Sequence, residues 1–102
     1  MNDRKHRRNL GQNYLIDPVI LFEIERAINP QNGNLFFEIG PGTGALTSQL
    51  MGQNIRITAM DLDKKNVDML MEKYSDTKHE FLHGDVLRES LEFLRISKHR
   101  IV

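Results

Sequence analysis

The stretch FFEIGPGTGALT, Phe36 to Thr47, constrains what this chain can fold into more than any other. An apolar run, Leu35–Ile39, carries the acid Glu38 and ends against three glycines at alternate positions, Gly40, Gly42 and Gly44. Short apolar runs bounded by turn signals read as buried parallel strands. From Thr43 to about Met51, Leu46 and Leu50 fall at i, i+4, so a helix starts inside the glycine stretch. A strand running through glycines straight into a helix opens a βαβ unit. Such a turn lets a ligand come close to the backbone, because no Cβ stands in the way. By itself it does not name the ligand.

The rest of the chain repeats the alternation. Asp17-Pro18 reads as an N-cap followed by proline at the first helical position, and Ile20, Ile24, Ala27 and Ile28 give the helical stripe. NPQNGN, Asn29 to Asn34, ends that helix with turn chemistry. Ile55–Asp61 reads as a second strand, and Val67, Leu70, Met71 and Tyr74 mark an amphipathic helix. Glu80–Asp85 reads as a third strand ending at an acid; Leu87, Leu91 and Leu94 indicate a further helical piece. Arg100–Val102 begins a fourth strand. The βαβαβ order predicts half of a doubly wound α/β fold. A fourth strand of three residues is expected to leave strand one as an exposed edge with apolar faces, and the chain marginal on its own.

Ligands of such sheets bind outside the carboxyl ends of the strands. Glu38 with the glycines, Asp61 and Asp85 all fall at that edge. Asp61 follows Gly40 by 21 residues and ends the second strand, the spacing of a carboxylate that accepts from ribose hydroxyls. The competing role is a helix cap, which Asp63 is better placed to fill. Asp85 can accept from an exocyclic amino group such as adenine N6, or form a local Gly-Asp turn. Glu38 discriminates between ligands. A pyrophosphate wants bare backbone N–H groups, and an acid beside it repels it. A nucleoside with a cationic end, S-adenosylmethionine, suits an acid in front of a glycine turn. The reading is therefore S-adenosylmethionine rather than NAD, with a dinucleotide oxidoreductase as the weaker alternative.

Composition excludes several other classes. The 102 residues hold 14 Lys and Arg against 14 Asp and Glu, so the chain as a whole has no charge bias toward nucleic acid. The absence of cysteine excludes disulfides and thiol chemistry. The four histidines lack metal-ligand spacing, so no metal is expected. No apolar run reaches membrane length and no signal-peptide pattern opens the chain, so a cytoplasmic location is expected. Charge is uneven at one place: Arg4, Lys5, Arg7 and Arg8 stand against Asp3. That arm is either simply solvated or a contact for RNA phosphates.

EIGPGTGALT, AMDLD and HGDVL together resemble the S-adenosylmethionine site of the ribosomal RNA adenine N6-dimethyltransferases. LGQNYL, Leu10 to Leu15, strengthens the resemblance, which spans about Arg8 to Val102 and is that of an N-terminal part only. It implies a Rossmann-like S-adenosylmethionine-dependent methyltransferase fold, truncated at the start of the fourth strand. Residues 1–16 would be a basic arm and cofactor-covering segment, and 17–102 the N-terminal part of the methyltransferase domain, with the C-terminal helical domain absent. The implied cofactor contacts are Asn13, Leu15, Gly40, Asp61 and Asp85, joined by Glu38 and Gly42 from the residue reading. Tyr14 stands where the family usually has Phe, and Asp61 where Glu is usual. The implied reaction is methylation of adenine N6, twice per adenine, in small-subunit ribosomal RNA during ribosome biogenesis. The family's Asn-Leu-Pro-aromatic motif would begin past Val102, so no catalytic residue is assigned and the chain alone is expected to be inactive. The implied partner is small-subunit ribosomal RNA or an immature small subunit, and the complete protein is expected to be monomeric. The alternative is a fragment that binds the RNA or the subunit without transferring methyl.

Overall fold

The computed structural model describes residues 17–102. Helix α1 is Pro18–Ile28; Asp17 caps it, its side chain accepting from the Val19 N–H at 2.9 Å. The helix ends at Asn29, which takes left-handed geometry and returns its N–H to the Glu25 carbonyl. Strand β1 (Leu35–Ile39), helix α2 (Ala45–Leu50), strand β2 (Arg56–Asp61), helix α3 (Lys64–Lys73) and strand β3 (Glu80–His83) follow in the expected alternation. Helix α4 (Glu92–Ile96) and strand β4 (His99–Ile101) complete it. Asp63 is the cap of α3, accepting from the Lys65 N–H at 2.9 Å.

The four strands form one parallel sheet in the order β3-β2-β1-β4. Strand β1 therefore lies in the middle, between β2 and β4. The expectation that β1 is an exposed edge does not hold. Leu35, Phe36 and Phe37 pair with His99, Arg100 and Ile101, and Ile39 N–H reaches the Val102 carbonyl at 3.0 Å. Three residues suffice because β1 itself has only five, and Val102 extends the ladder beyond β4. The edge strands are β3 and β4.

Alternation along the strands sorts the residues onto two faces. Phe36, Ile57, Ala59 and Phe81 share one face and pack with Leu50, Ile55, Val67 and Leu70 into the core. Leu35, Phe37, Thr58, Met60 and Leu82 share the other, where the Phe93 ring of α4 meets Phe37 edge-on at 5.6 Å. Helix α1 docks on α2 through Glu25, which accepts from Gln49 at 2.6 Å and Gln53 at 3.1 Å. Arg100 of β4 donates to the Ile28 and Asn29 carbonyls at the end of α1 and lies over the Phe36 ring. These links tie the first helix and the last strand to the core.

Two expected elements differ. The third strand stops at His83, because Gly84 and Asp85 enter a turn. Leu87 is not part of a helix and is 90% exposed. Asp85 Oδ1 accepts the Leu87 N–H at 3.0 Å, so local turn chemistry overrides the leucine spacing.

Candidate functional site

The carboxyl ends of β1, β2 and β3 meet at one edge. Gly40 N–H bonds to the Met60 carbonyl at 2.8 Å, and Gly84 N–H to the Asp61 carbonyl at 3.0 Å. These backbone bonds set the glycine turn, Asp61 and the Gly84–Asp85 turn side by side. The sequence places the three acids at the same edge, and the fold brings their strand ends together.

The three glycines divide between two tasks. Gly40 and Gly42 lie at φ 66° and 59°, with no atom of the described residues within 4 Å of where a Cβ would stand. Open space on the outer side of the turn leaves the backbone approachable. Gly44, at φ 91°, is the N-cap of α2, and a Cβ there would lie 2.7 Å from Leu70 Cδ2. It is needed for helix α2 to sit against α3.

Glu38 alternates onto the same face as Phe36, beneath the turn, and is only 3% exposed. Its Oε1 accepts from the Thr47 hydroxyl of α2, the one donor it has among the described residues. Burial is the main cause that raises its pKa; the Thr47 hydrogen bond opposes this and the Asp61 charge adds to it. No cation compensates it among the described residues. Asp61 is also buried, with both carboxylate oxygens accepting: Gly42 N–H reaches Oδ2 at 2.9 Å and Asp63 N–H reaches Oδ1 at 2.9 Å. Asp85 is partly exposed, closing its local turn and standing 3.7 Å from Arg88 Nε. Asn13 and Leu15 lie outside the described residues.

Three participants escape the motif reading. Thr47 carries no local signal that it will hold Glu38. Asn66, on the first turn of α3, brings its Nδ2 to 3.5 Å from Asp61 Oδ2. Leu62 is 70% exposed although apolar, and directly follows Asp61 at this edge. The signal for Leu62 was present, an apolar residue between two acids in MDLD. Chemically the edge offers acceptors for hydroxyl and amino groups, an apolar side chain, an approachable backbone turn and excess negative charge. Among the described residues no group of three or more His, Asp or Glu is arranged to hold a metal ion, and no helix is long and apolar enough to cross a membrane.

A parallel sheet with this turn and these strand-end acids defines a Rossmann-like fold of the S-adenosylmethionine-dependent methyltransferase class. The solved structure of a dimethyladenosine transferase from Plasmodium falciparum superposes with a TM-score of 0.66, at 24% identity, over 74% of this chain and 28% of that one. The chain belongs to the ribosomal RNA adenine dimethylase family, whose model matches residues 3–100. It is 43% identical over 83 residues to the ribosomal RNA small subunit methyltransferase A of Pseudomonas putida, covering 80% of this chain and 31% of that protein. The Prochlorococcus marinus protein of the same name is 36% identical over 96 residues, covering 90% of this chain and 35% of its own length. The chain thus spans about a third of the length of these relatives.

Proposed function

We propose that residues 17–102, with the segment before them, form the S-adenosylmethionine-binding part of an enzyme that dimethylates adenine N6 in small-subunit ribosomal RNA. The observation that carries this reading is the uncompensated acid pair. Among the described residues, Glu38 is buried with only a hydroxyl for a partner, and Asp61 adds like charge beside it. Keeping such a carboxylate charged is costly without a counter-charge. A cationic ligand supplies one, and a pyrophosphate worsens the repulsion.

When bound, S-adenosylmethionine supplies a methyl group activated by a sulfonium centre. In this reading Asp61 accepts from ribose hydroxyls, Asp85 from the exocyclic amine, and Leu62 offers an apolar surface to the base. Gly40 and Gly42 let the backbone approach the ligand, and Glu38 supplies negative potential beneath it. Asn13 and Leu15 cover the cofactor. The residues that grip the target adenine lie in the strand that β4 begins, beyond Val102. Small-subunit RNA or an immature subunit is the partner, a role in ribosome biogenesis in the cytoplasm follows, and the family assignment together with the named relatives supports both.

Calorimetry on the chain with S-adenosylhomocysteine and with NAD tests the cofactor. Binding of the first and not the second is expected; the opposite result replaces this reading with a dinucleotide one. Transfer of labelled methyl to adenine N6 of unmethylated small subunits by the full-length protein tests the substrate.

A further inference from the structure

Asp61 does something at this edge that a ribose contact does not require. Its Oδ2 reaches across to the adjoining strand end and accepts the Gly42 N–H at 2.9 Å, while its Oδ1 accepts the Asp63 N–H at 2.9 Å. Gly42 has left-handed geometry, and among the described residues no atom lies within 4 Å of the position its Cβ would take. Side-chain packing therefore does not fix it. Glycine is also the residue with the most backbone freedom to lose. The neighbouring bonds at the edge, Gly40 to Met60 and Gly84 to Asp61, use backbone carbonyls and depend on no side chain. A hydrogen bond to an ionised carboxylate is stronger than a neutral one. Among the described residues, the one charged tie on the turn is thus made by the Asp61 side chain.

We propose that Asp61 is a latch on the glycine turn, holding Gly42 in its ligand-ready conformation before any ligand arrives. This rests on the reading of the edge as a nucleoside site and deepens it: the residue that would meet the ribose also positions the backbone that the rest of the ligand approaches. Preorganisation of this kind lowers the ordering cost of binding. Asn66 Nδ2 stands 3.5 Å from the same oxygen. Asp61 acts on the turn as a positioning residue, distinct from its contact with ligand.

The test compares the unliganded wild-type chain with Asp61→Asn by amide exchange and NMR. Asparagine has a single acceptor oxygen, and the local turn to Asp63 suits it. Exchange at Gly42 is expected to speed up by about tenfold, while Asp63, Gly40 and Gly84 keep their protection. Unchanged exchange at Gly42, or equal loosening at all four amides, overturns the latch. If the variant does not fold, a wild-type Gly42 amide that exchanges as fast as in an unfolded chain is enough to reject the latch. Calorimetry with S-adenosylhomocysteine on the wild type separates the two readings. Absence of binding there removes the cofactor proposal and leaves the latch to be judged by exchange alone.

Discussion

The face of the sheet that carries Phe36, Glu38, Ile57 and Phe81 is packed beneath α2 and α3. The face that carries Phe37, Ile39, Met60, Leu82 and Ile101 meets, among the described residues, little beyond the five-residue α4, and Ile39, Leu82 and Ile101 stay exposed. The candidate site draws on the packed face. Glu38 is dry because strand alternation directs it under α2, and Thr47 meets it because α2 is held there by Leu50 in the core and by Gly44 against Leu70. A precise polar constellation is thus supported by the side of the sheet whose packing leaves least room to move.

Substitutions on the packed face test that contrast most strongly. Phe36→Ala removes a fully buried ring from the centre of the core, under the Arg100 guanidinium as well. A loss of about 3–5 kcal/mol is expected, enough to abolish a cooperative thermal transition in a domain of this size. A transition that survives with little shift would remove the distinction between the faces. Gly44→Ala comes next. Its positive φ and the 2.7 Å approach to Leu70 Cδ2 both oppose a side chain. A loss of roughly 1–3 kcal/mol is expected, read as a lower Tm. The corresponding change at Gly42, where the space is open, should cost less stability and more ligand affinity.

Glu38→Gln reverses the sign. Folding raises the Glu38 pKa above its ordinary value of 4.5, so the native state holds that proton more tightly than the unfolded chain does. The resulting stabilisation is complete below pH 4.5 and is lost as pH rises through the folded value. At neutral pH the charged, buried form is the destabilised one. Glutamine keeps an acceptor for Thr47 and removes the charge. The variant is expected to be more stable than the wild type at pH 7 by about 1 kcal/mol, a rise in Tm of roughly 4–8 °C, with the advantage gone in acid. Its affinity for S-adenosylhomocysteine, whose ammonium keeps a positive charge, is expected to fall. A gain in stability together with a gain in affinity would remove Glu38 from the site.

The sequence makes the packed face easy to read and the open one hard, for physical reasons. The glycine turn and the placement of Asp61 and Asp85 follow from local spacing, since each strand ends where an acid or a glycine interrupts an apolar run. The helical stripe of α3 is legible at Val67 and Leu70, although Met71, expected on it, is exposed. In α1 the buried residue is Leu21, off the expected Ile20–Ile24 stripe, because the helix lies on α2 rather than squarely on the sheet. Leu87 is misread because the side chain of Asp85 competes for the backbone. The partnership of Glu38 with Thr47 and that of Asp61 with Gly42 arise only when separate elements meet. No periodicity within one element encodes them.

Leu82→Thr is the smallest expected effect and the sharpest test of the open face. Leu82 lies on β3, an edge strand, and points away from the core that holds its neighbour Phe81. More than a third of its surface already meets solvent, so little apolar area is lost on truncation. Threonine is β-branched, which suits a strand. The expected change is within about 0.5 kcal/mol, close to the error of a thermal melt. Phe81→Thr, one position away and on the packed face, should cost several times more. Because the two residues share a strand, a backbone and a depth in the sheet, their difference measures the two faces directly. Equal costs at Leu82 and Phe81 would mean that the open face is packed in solution, and the asymmetry that supports the site would have to be sought elsewhere.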